Sequence, residues 1–300
     1  MRENEVNEKK VSIILVNYNG FSDTVECIES IKKNTYSNYE LIVVDNGSTE
    51  KPTTSDLNAI KETSIFIPLE KNIGFSGGNN VGIRYAIEHG SDYVLLLNND
   101  TVVERHFLTQ MVNAAQKKND LGVIGGKIKY YSNPDKIWFG GGGFDESNGY
   151  VWHKRYNQTD DQGGNDIIEQ SFLTGCLMLI PIPIINTVGL LDEKFFLYCE
   201  DTEFSCRVRK HGFKLWLCED AVIYHKVSAS SGANSYITTY YSVRNTLYVG
   251  RMYCNNMRAL YQKYFVLWIK KVLKRQLKIR PIIRGIIDYK MGKKGQIEYK

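Results

Sequence analysis

The sequence sets its most reactive side chains just after apolar runs, where a strand would hand over to a loop. In Leu95-Leu96-Leu97-Asn98-Asn99-Asp100 the run ends on an Asn-Asn-Asp tip, and Asp100 can offer an oxygen to a hard cation such as Mg²⁺ or Mn²⁺. Such ions take one or two carboxylates and fill their other positions with diphosphate oxygens. Asp100 can equally close a turn, as Asx residues often do after strands. Val43-Val44-Asp45-Asn46-Gly47-Ser48 repeats the arrangement. There Asp45 can accept a hydrogen bond from a pyrimidine N–H or a ribose hydroxyl, or serve a plain Asp-Asn-Gly turn.

A third acidic segment is denser. Phe195-Phe196-Leu197-Tyr198-Cys199 leads into Glu200-Asp201-Thr202-Glu203, three acids in four residues at an expected helix start. Helix-dipole stabilisation and a solvated first turn explain such a cluster structurally. The apolar lead-in, however, would set Glu200 and Asp201 at a core edge, where repulsion and desolvation turn a carboxylate into a better base for an attacking hydroxyl. His225 ends Val222-Ile223-Tyr224-His225 as the acids end their strands, and it can complete a metal shell or simply be a satisfied structural histidine.

The elements that must position these groups alternate. Strands are expected at Val11 to Asn17, Tyr39 to Val44, Ile65 to Leu69 and Tyr93 to Leu97. Between them lie a helix opening at Ser22 or Asp23, with Glu26 completing a capping box, and helices over Asp56 to Glu62 and Asn79 to His89. Alternation of this kind predicts an α/β, Rossmann-like, mainly parallel sheet flanked by helices, with ligands beyond the carboxyl ends of the strands. That edge receives the loops opening at Asn17, Asp45 and Asn98, so Asn17 and Asn19 are expected to face the ligand too. The Gly/Asn loop from Asn72, with Gly74, Gly77 and Gly78, has neither dinucleotide nor P-loop spacing.

Beyond a helix carrying Phe107, Leu108, Met111 and Val112, the pattern loosens. Gly122 to Tyr131 and Gln170 to Ile180 are expected to be strands, with surface loop over Gly140 to Gly143 and Gln158 to Asn165. A helix over Asp201 to His211 and a strand over Ala221 to His225 follow, and Thr238 onward is helical.

With 43% hydrophobic and 24% charged residues the composition is that of an ordinary globular protein. Met1 to Lys10 is polar and nothing there resembles a signal peptide, so a cytoplasmic protein is expected. Six scattered cysteines without a CxxC pair suggest reduced thiols. The net charge of +5 conceals a division: Arg251 to Lys300 carry 14 Lys and Arg against 2 Asp and Glu, and the rest 24 against 31. Met257, Tyr261, Tyr264, Trp268 and Val272 share one helical face of this tail, with lysines adjoining, as in an interfacial membrane segment. Packing on the catalytic core or a homodimer contact are the structural alternatives. The acidic remainder disfavours a nucleic-acid partner.

Taken together, SIILVNYNG, LIVVDNGSTE, NIGFSGGNNVGI, LLLNNDT, TGCLMLIP, GLLDEKFFLYCEDTEFSCRVRKHGFKLWLCEDAVIYH and YYSVRNTLY resemble the family 2 glycosyltransferases, in their order, from about Val11 to about Tyr248. The resemblance is to the GT-A fold and to the bacterial rhamnosyltransferase-like branch. It implies a catalytic domain over 1–250, with a nucleotide-binding part at about 10–130 and an acceptor part at about 131–250, and a basic helical extension over 251–300. It implies an inverting transfer from a nucleoside-diphosphate sugar to a glycan or polyprenyl-diphosphate-linked acceptor. Asp45 would contact base or ribose, Asn72 and Gly74 would line the donor pocket, and Asp100 and His225 would hold Mg²⁺ or Mn²⁺. Asp201, beside Glu200, would be the general base, and Arg244-Asn245 would lie near the diphosphate or acceptor. Asn98 stands where many relatives carry the first acid of Asp-x-Asp, and a neutral amide holds a cation less strongly. A sugar nucleotidyltransferase would need a basic glycine-rich loop after the first strand, and Asn17-Tyr18-Asn19-Gly20 has no cation. A silent nucleotide-sugar-binding protein could dispense with Asp201.

Overall fold

A computed structural model describes residues 8–118, 120–161, 164, 166–227 and 235–297. The first half alternates as expected: β1 (Val11–Asn17), α1 (Phe21–Ile31), β2 (Tyr39–Asp45), α2 (Thr54–Thr63), β3 (Ile65–Pro68), α3 (Gly74–Glu88) and β4 (Tyr93–Asn98). Then come β5 (Thr101–Val103), α4 (Phe107–Lys117), β6 (Gly122–Tyr130), β7 (Asn133–Phe139), β8 (Gly142–Asp145), β9 (Tyr150–His153), β10 (Ile167–Glu169) and β11 (Leu177–Pro181). The remaining elements are α5 (Ile182–Val188), α6 (Glu200–Lys210), β12 (Lys214–His225), α7 (Tyr236–Tyr253), α8 (Met257–Leu273) and α9 (Ile279–Lys290).

The main sheet runs β10-β12-β6-β11-β4-β1-β2-β3, with β5 on β12 and β7 on β6. β1, β2, β3 and β4 are mutually parallel, as is β6 with β12, whereas β11 runs antiparallel between β4 and β6. The central strands are apolar without alternation because helices cover both faces. Glycines set how closely one of those helices lies: a Cβ at Gly78 or Gly82 of α3 would meet Val16 at 2.8 Å or Ile14 at 2.6 Å. The spacing of four residues brings both onto the face of α3 that meets β1.

Several expected boundaries move. α1 begins at Phe21 with Gly20 before it and no side-chain cap; Asp23 and Glu26 bind Lys226 instead, at 2.5 and 2.6 Å. α3 starts at Gly74, so the glycine loop is largely helix. The run from Gln170 to Ile180 is not one strand: the chain crosses over between β10 and β11, a break that apolar continuity hides. Gly142 and Gly143 belong to buried β8, where glycine makes room for the rings of Phe172 and Trp152. Of Gln158 to Asn165, residues 162, 163 and 165 lie outside the described part; Thr159 bridges Lys136.

The basic tail is built in. α7 continues through the expected boundary at 250, and α9 packs along it. Phe144, Phe195, Cys206, Leu247, Leu260 and Tyr289 form a second apolar cluster spanning both sides of that boundary. Met257, Tyr264 and Trp268 pack against it, so most of the expected membrane face is an inner face. All six cysteines are free, as expected.

Candidate active site

β1, β2 and β4 deliver three polar loops to one edge, and Asn17 ties them together. Fully buried, it donates to Asp45 Oδ1 (3.0 Å) and Ser48 Oγ (3.2 Å) and accepts from the Gly20 amide, Thr24 Oγ1 and, at 3.4 Å, Asn99 Nδ2. Ser48 also donates to Asp45 at 2.5 Å, leaving the half-buried carboxylate oriented at the edge. Asn19, at φ 58°, accepts from the amides of Thr49 and Glu50 and so holds the loop after β2. Buried Asn46, which the sequence reading passed over, donates to Asn72 Oδ1 and the Gly74 carbonyl and accepts from the Ile73 amide. Asn72 in turn accepts from the Gly74 amide at 2.8 Å.

Gly74 (φ 84°) serves a close approach between chain segments. A side chain there would run into the backbone of Phe196, and the Phe75 amide donates to the Phe196 carbonyl at 2.8 Å. The start of α3 is thus fastened to the stretch leading into the acid cluster. That stretch carries Tyr198 and Cys199 in succession at φ 66° and 68°, a left-handed pair that costs energy for residues with side chains. Asn245 on α7 holds it, its Nδ2 donating to the Leu197 and Tyr198 carbonyls at 2.9 and 2.8 Å.

The turn delivers Glu200 and Asp201 at the head of α6. Asp201 accepts from the Gly175 amide (3.1 Å) in the crossing between β10 and β11, and from the Thr202 amide (2.7 Å). Burial raises its pKa, and these two amides hold the rise back. Glu200 is buried, and its Oε2 has no hydrogen-bond partner among the described residues; burial first, and the Asp201 charge second, push it well above the usual carboxylate range. Glu203 is also buried rather than solvated, paired with Arg207 at 2.8 Å and bonded by the Tyr253 hydroxyl.

β5 pairs antiparallel with the end of β12, which sets Thr101 opposite His225 and brings Asp100 to it. His225 Nε2 lies 3.1 Å from Asp100 Oδ1. Burial opposes charge on this imidazole, but Cys176 and Asp100 outweigh it and raise its pKa to about 10. Asn98 holds the local backbone, its amide donating to the Cys176 carbonyl and its own carbonyl accepting from Thr101 Oγ1. Among the described residues no group of three or more His, Cys, Asp and Glu is arranged to hold a metal. Asp100, in the turn before β5, and His225, at the end of β12, nevertheless offer one carboxylate oxygen and, once the imidazole gives up its proton, one nitrogen to a cation that draws its other ligands from a diphosphate.

Trp138 on β7 spans the two halves. Its ring centroid lies 4.8 Å from that of His225 and 5.0 Å from that of His153, both edge-on. His153 on β9 is held below its ordinary pKa by burial, with the Trp138 carbonyl and the charge of Asp201 acting the other way. Neither Trp138 nor His153 stood out in the sequence; an aromatic-rich segment between glycines, Trp138 to His153, was the available signal. Arg244 is 1% exposed, and its contacts run to Tyr240, Asn245 and the Gly295 carbonyl rather than to the acid-bearing loops.

A mixed sheet with this edge of acids is the architecture of a GT-A glycosyltransferase. Residues 12–179 match the Glycosyl transferase family 2 model, more than half of the chain, and the protein belongs to that family. It is 27% identical over 251 residues to the low-salt glycan biosynthesis hexosyltransferase Agl10 of Haloferax volcanii, covering 78% of this chain and 73% of that one. It is 24% identical to the dTDP-rhamnosyl transferase RfbF of Shigella flexneri, over 69% of each chain. The crystal structure of GalNAc-T7 with UDP, GalNAc and Mn²⁺ shares the fold, with a TM-score of 0.63 at 16% identity, over 82% of this chain and 48% of that one. As a member of that family the protein is a glycosyltransferase.

Proposed function

We propose that the protein transfers a sugar with inversion from a nucleoside-diphosphate sugar, dTDP-rhamnose among the candidates, to a hydroxyl of a glycan or lipid-linked acceptor in cell-surface polysaccharide synthesis. The observation that carries this reading is that Trp138 packs edge-on against both His225, which meets Asp100, and His153, whose imidazole feels the charge of Asp201. Asp45, oriented by Asn17 and Ser48, accepts hydrogen bonds from the donor's base or ribose. Asp201, raised in basicity by burial, takes the acceptor's proton as its oxygen attacks the anomeric carbon. Burial and the charge of Asp201 raise the pKa of Glu200 beside it, which disfavours two charged carboxylates side by side. Asp100 and His225 would hold Mg²⁺ or Mn²⁺, which supplies positive charge to the departing diphosphate. The dTDP-rhamnosyl transferase relative motivates the donor, and the hexosyltransferase of glycan synthesis the acceptor class.

Asp201→Asn tests the assignment: transfer measured with a panel of nucleotide sugars falls by about 10²–10⁴-fold while donor binding persists. Full transfer by that variant would overturn Asp201 as the base. The same reading includes contact with a lipid surface. On α8, Phe265 is 61% and Leu273 77% exposed, beside Lys270, Lys271 and Lys274. Among the described residues no helix is long and apolar enough to cross a membrane. Phe265→Ser/Leu273→Ser should reduce flotation with anionic liposomes, and unchanged flotation would remove this contact.

A further inference from the structure

The turn after β9 is strained and yet firmly anchored. Arg155 and Asn157 stand at φ 54° and 60°, left-handed conformations on either side of Tyr156. The Arg155 guanidinium fixes the turn by pairing with Asp160 at 2.9 Å and with Glu219 at 2.8 Å. Lys127 and Lys129 meet the same Asp160 at 3.0 and 3.2 Å. What this anchoring presents is the ring of Tyr156, 55% exposed. Its centroid lies 6.1 Å from that of His153 and 6.4 Å from that of Tyr130.

His153 lies at the foot of that ring. Its Nδ1 is 3.3 Å from the Trp138 carbonyl, which can only accept, so Nδ1 carries a proton. Burial holds the imidazole below its ordinary pKa and so favours the neutral form, in which Nε2 keeps a lone pair. Nε2 makes no hydrogen bond among the described residues and is open to solvent. The crossing between β10 and β11 sets this ring near the acid cluster: Phe172 stacks on His153 at 6.0 Å, and three residues further on the Gly175 amide donates to Asp201.

Two hydrogen-bond acceptors, the Asp201 carboxylate and His153 Nε2, therefore share a region whose rim is an exposed aromatic ring. A sugar is the complement of such a surface, with neighbouring hydroxyls that donate and a face of C–H groups that packs on an aromatic ring. A lipid chain has the C–H groups but nothing to donate.

We propose that His153 and Tyr156 select the acceptor: His153 accepts a hydrogen bond from a hydroxyl neighbouring the one that attacks, and the Tyr156 ring covers a C–H face of the same sugar. The acceptor class is then a saccharide with two free neighbouring hydroxyls at the attacked end. This role rests on sugar transfer with Asp201 as base, yet saccharide binding is measured without turnover.

Binding of methyl α-rhamnopyranoside, methyl α-glucopyranoside and methyl β-galactopyranoside to the full-length protein is titrated by saturation-transfer NMR, with UDP or dTDP and Mg²⁺ present. At least one glycoside binds the wild type. Tyr156→Ala weakens that binding about tenfold and Tyr156→Phe restores it, because the ring and not the hydroxyl makes the contact. His153→Phe weakens it about tenfold, and His153→Gln, which keeps an acceptor, loses less. One monodeoxy form of the bound glycoside, lacking the hydroxyl that His153 reads, binds wild type and His153→Phe equally. Absence of binding by all three glycosides overturns the proposal, as does equal glycoside binding by wild type, Tyr156→Ala and His153→Phe. If those variants lose binding while Asp201→Asn transfers sugar at the full rate, the saccharide site stands and the base assignment falls.

Discussion

Two regions bury charge in opposite ways. At the head of α6, Glu200 and Asp201 are two acids with no cation paired to them among the described residues, and amides from Gly175 and Thr202 hold Asp201. Under α9, Arg244 is a cation whose partners are all neutral. Burial raises the pKa of both acids, so each binds a proton more readily than it would in water. The guanidinium cannot shed its proton, and the ring faces of Tyr240 and Tyr241 lie against it at 5.3 and 4.9 Å. Asn245 links the regions: it accepts from Arg244 and donates to the turn that carries the acids. A buried charge is thus met by a raised proton affinity in one place and by neutral acceptors and ring faces in the other.

The comparison breaks if the cationic region proves to be an appendage rather than part of the core. Leu260 is fully buried, and Cβ atoms at Gly149 or Gly250 would crowd it. Leu260→Ala should cost about 2–5 kcal/mol in urea unfolding, in a single transition that includes the catalytic region. A separate early transition confined to the last fifty residues would show the extension to be independent.

Asn245→Ala tests the link. It strips two carbonyls of their donor beside a strained turn, costing about 1–3 kcal/mol. Because the turn positions the acids, kcat should fall more than the KM for the nucleotide sugar rises. A loss of stability with unchanged kcat would reduce Asn245 to a structural role.

Glu200→Gln sharpens the anionic side. The pKa of Glu200 is raised on folding, so its contribution to stability is complete below the ordinary value of 4.5 and is lost as pH rises through the elevated folded value. Over that interval the wild type loses up to about 1.4 kcal/mol per pH unit from this group. The glutamine variant should show a flatter profile in urea unfolding from pH 5 to 8. The smallest effect belongs to an ordinary surface pair: Lys226→Gln, which frees Asp23 and Glu26, should cost about 1 kcal/mol or less. Glu26 is held below its usual pKa by Lys226, so that small contribution is present above the ordinary carboxylate value and fades as acid is added.

Much of the donor edge was legible before folding. Apolar runs ending in Asn17, Asp45 and Asn98 are strands whose tips share one edge, because parallel strands with helical crossovers all point the same way. The acid cluster was legible as well, and its apolar lead-in pointed to the core edge where Glu200 and Asp201 lie, although a dipole-stabilised solvated turn would share the same sequence. The glycine segment was misread as loop, since glycine at helical spacing gives no apolar stripe to detect and its use here is close packing on β1 and Phe196. The exposed face of the tail was also misplaced. Met257, Tyr264 and Trp268 turn inward because the cluster of Phe195 and Leu247 receives them, while Tyr261 of the same face stays exposed.

Residue type and order were enough for the parallel half-sheet, the three polar tips and the charge division between body and tail, since each follows from local periodicity or composition. Long-range pairing decided the rest. β5 against β12 brings Asp100 to His225 across 125 positions of sequence, the hairpin of β8 and β9 brings His153 toward Asp201, and α9 closes over Arg244. No local pattern encodes such meetings, because each depends on burying one element's face against another that lies far along the chain.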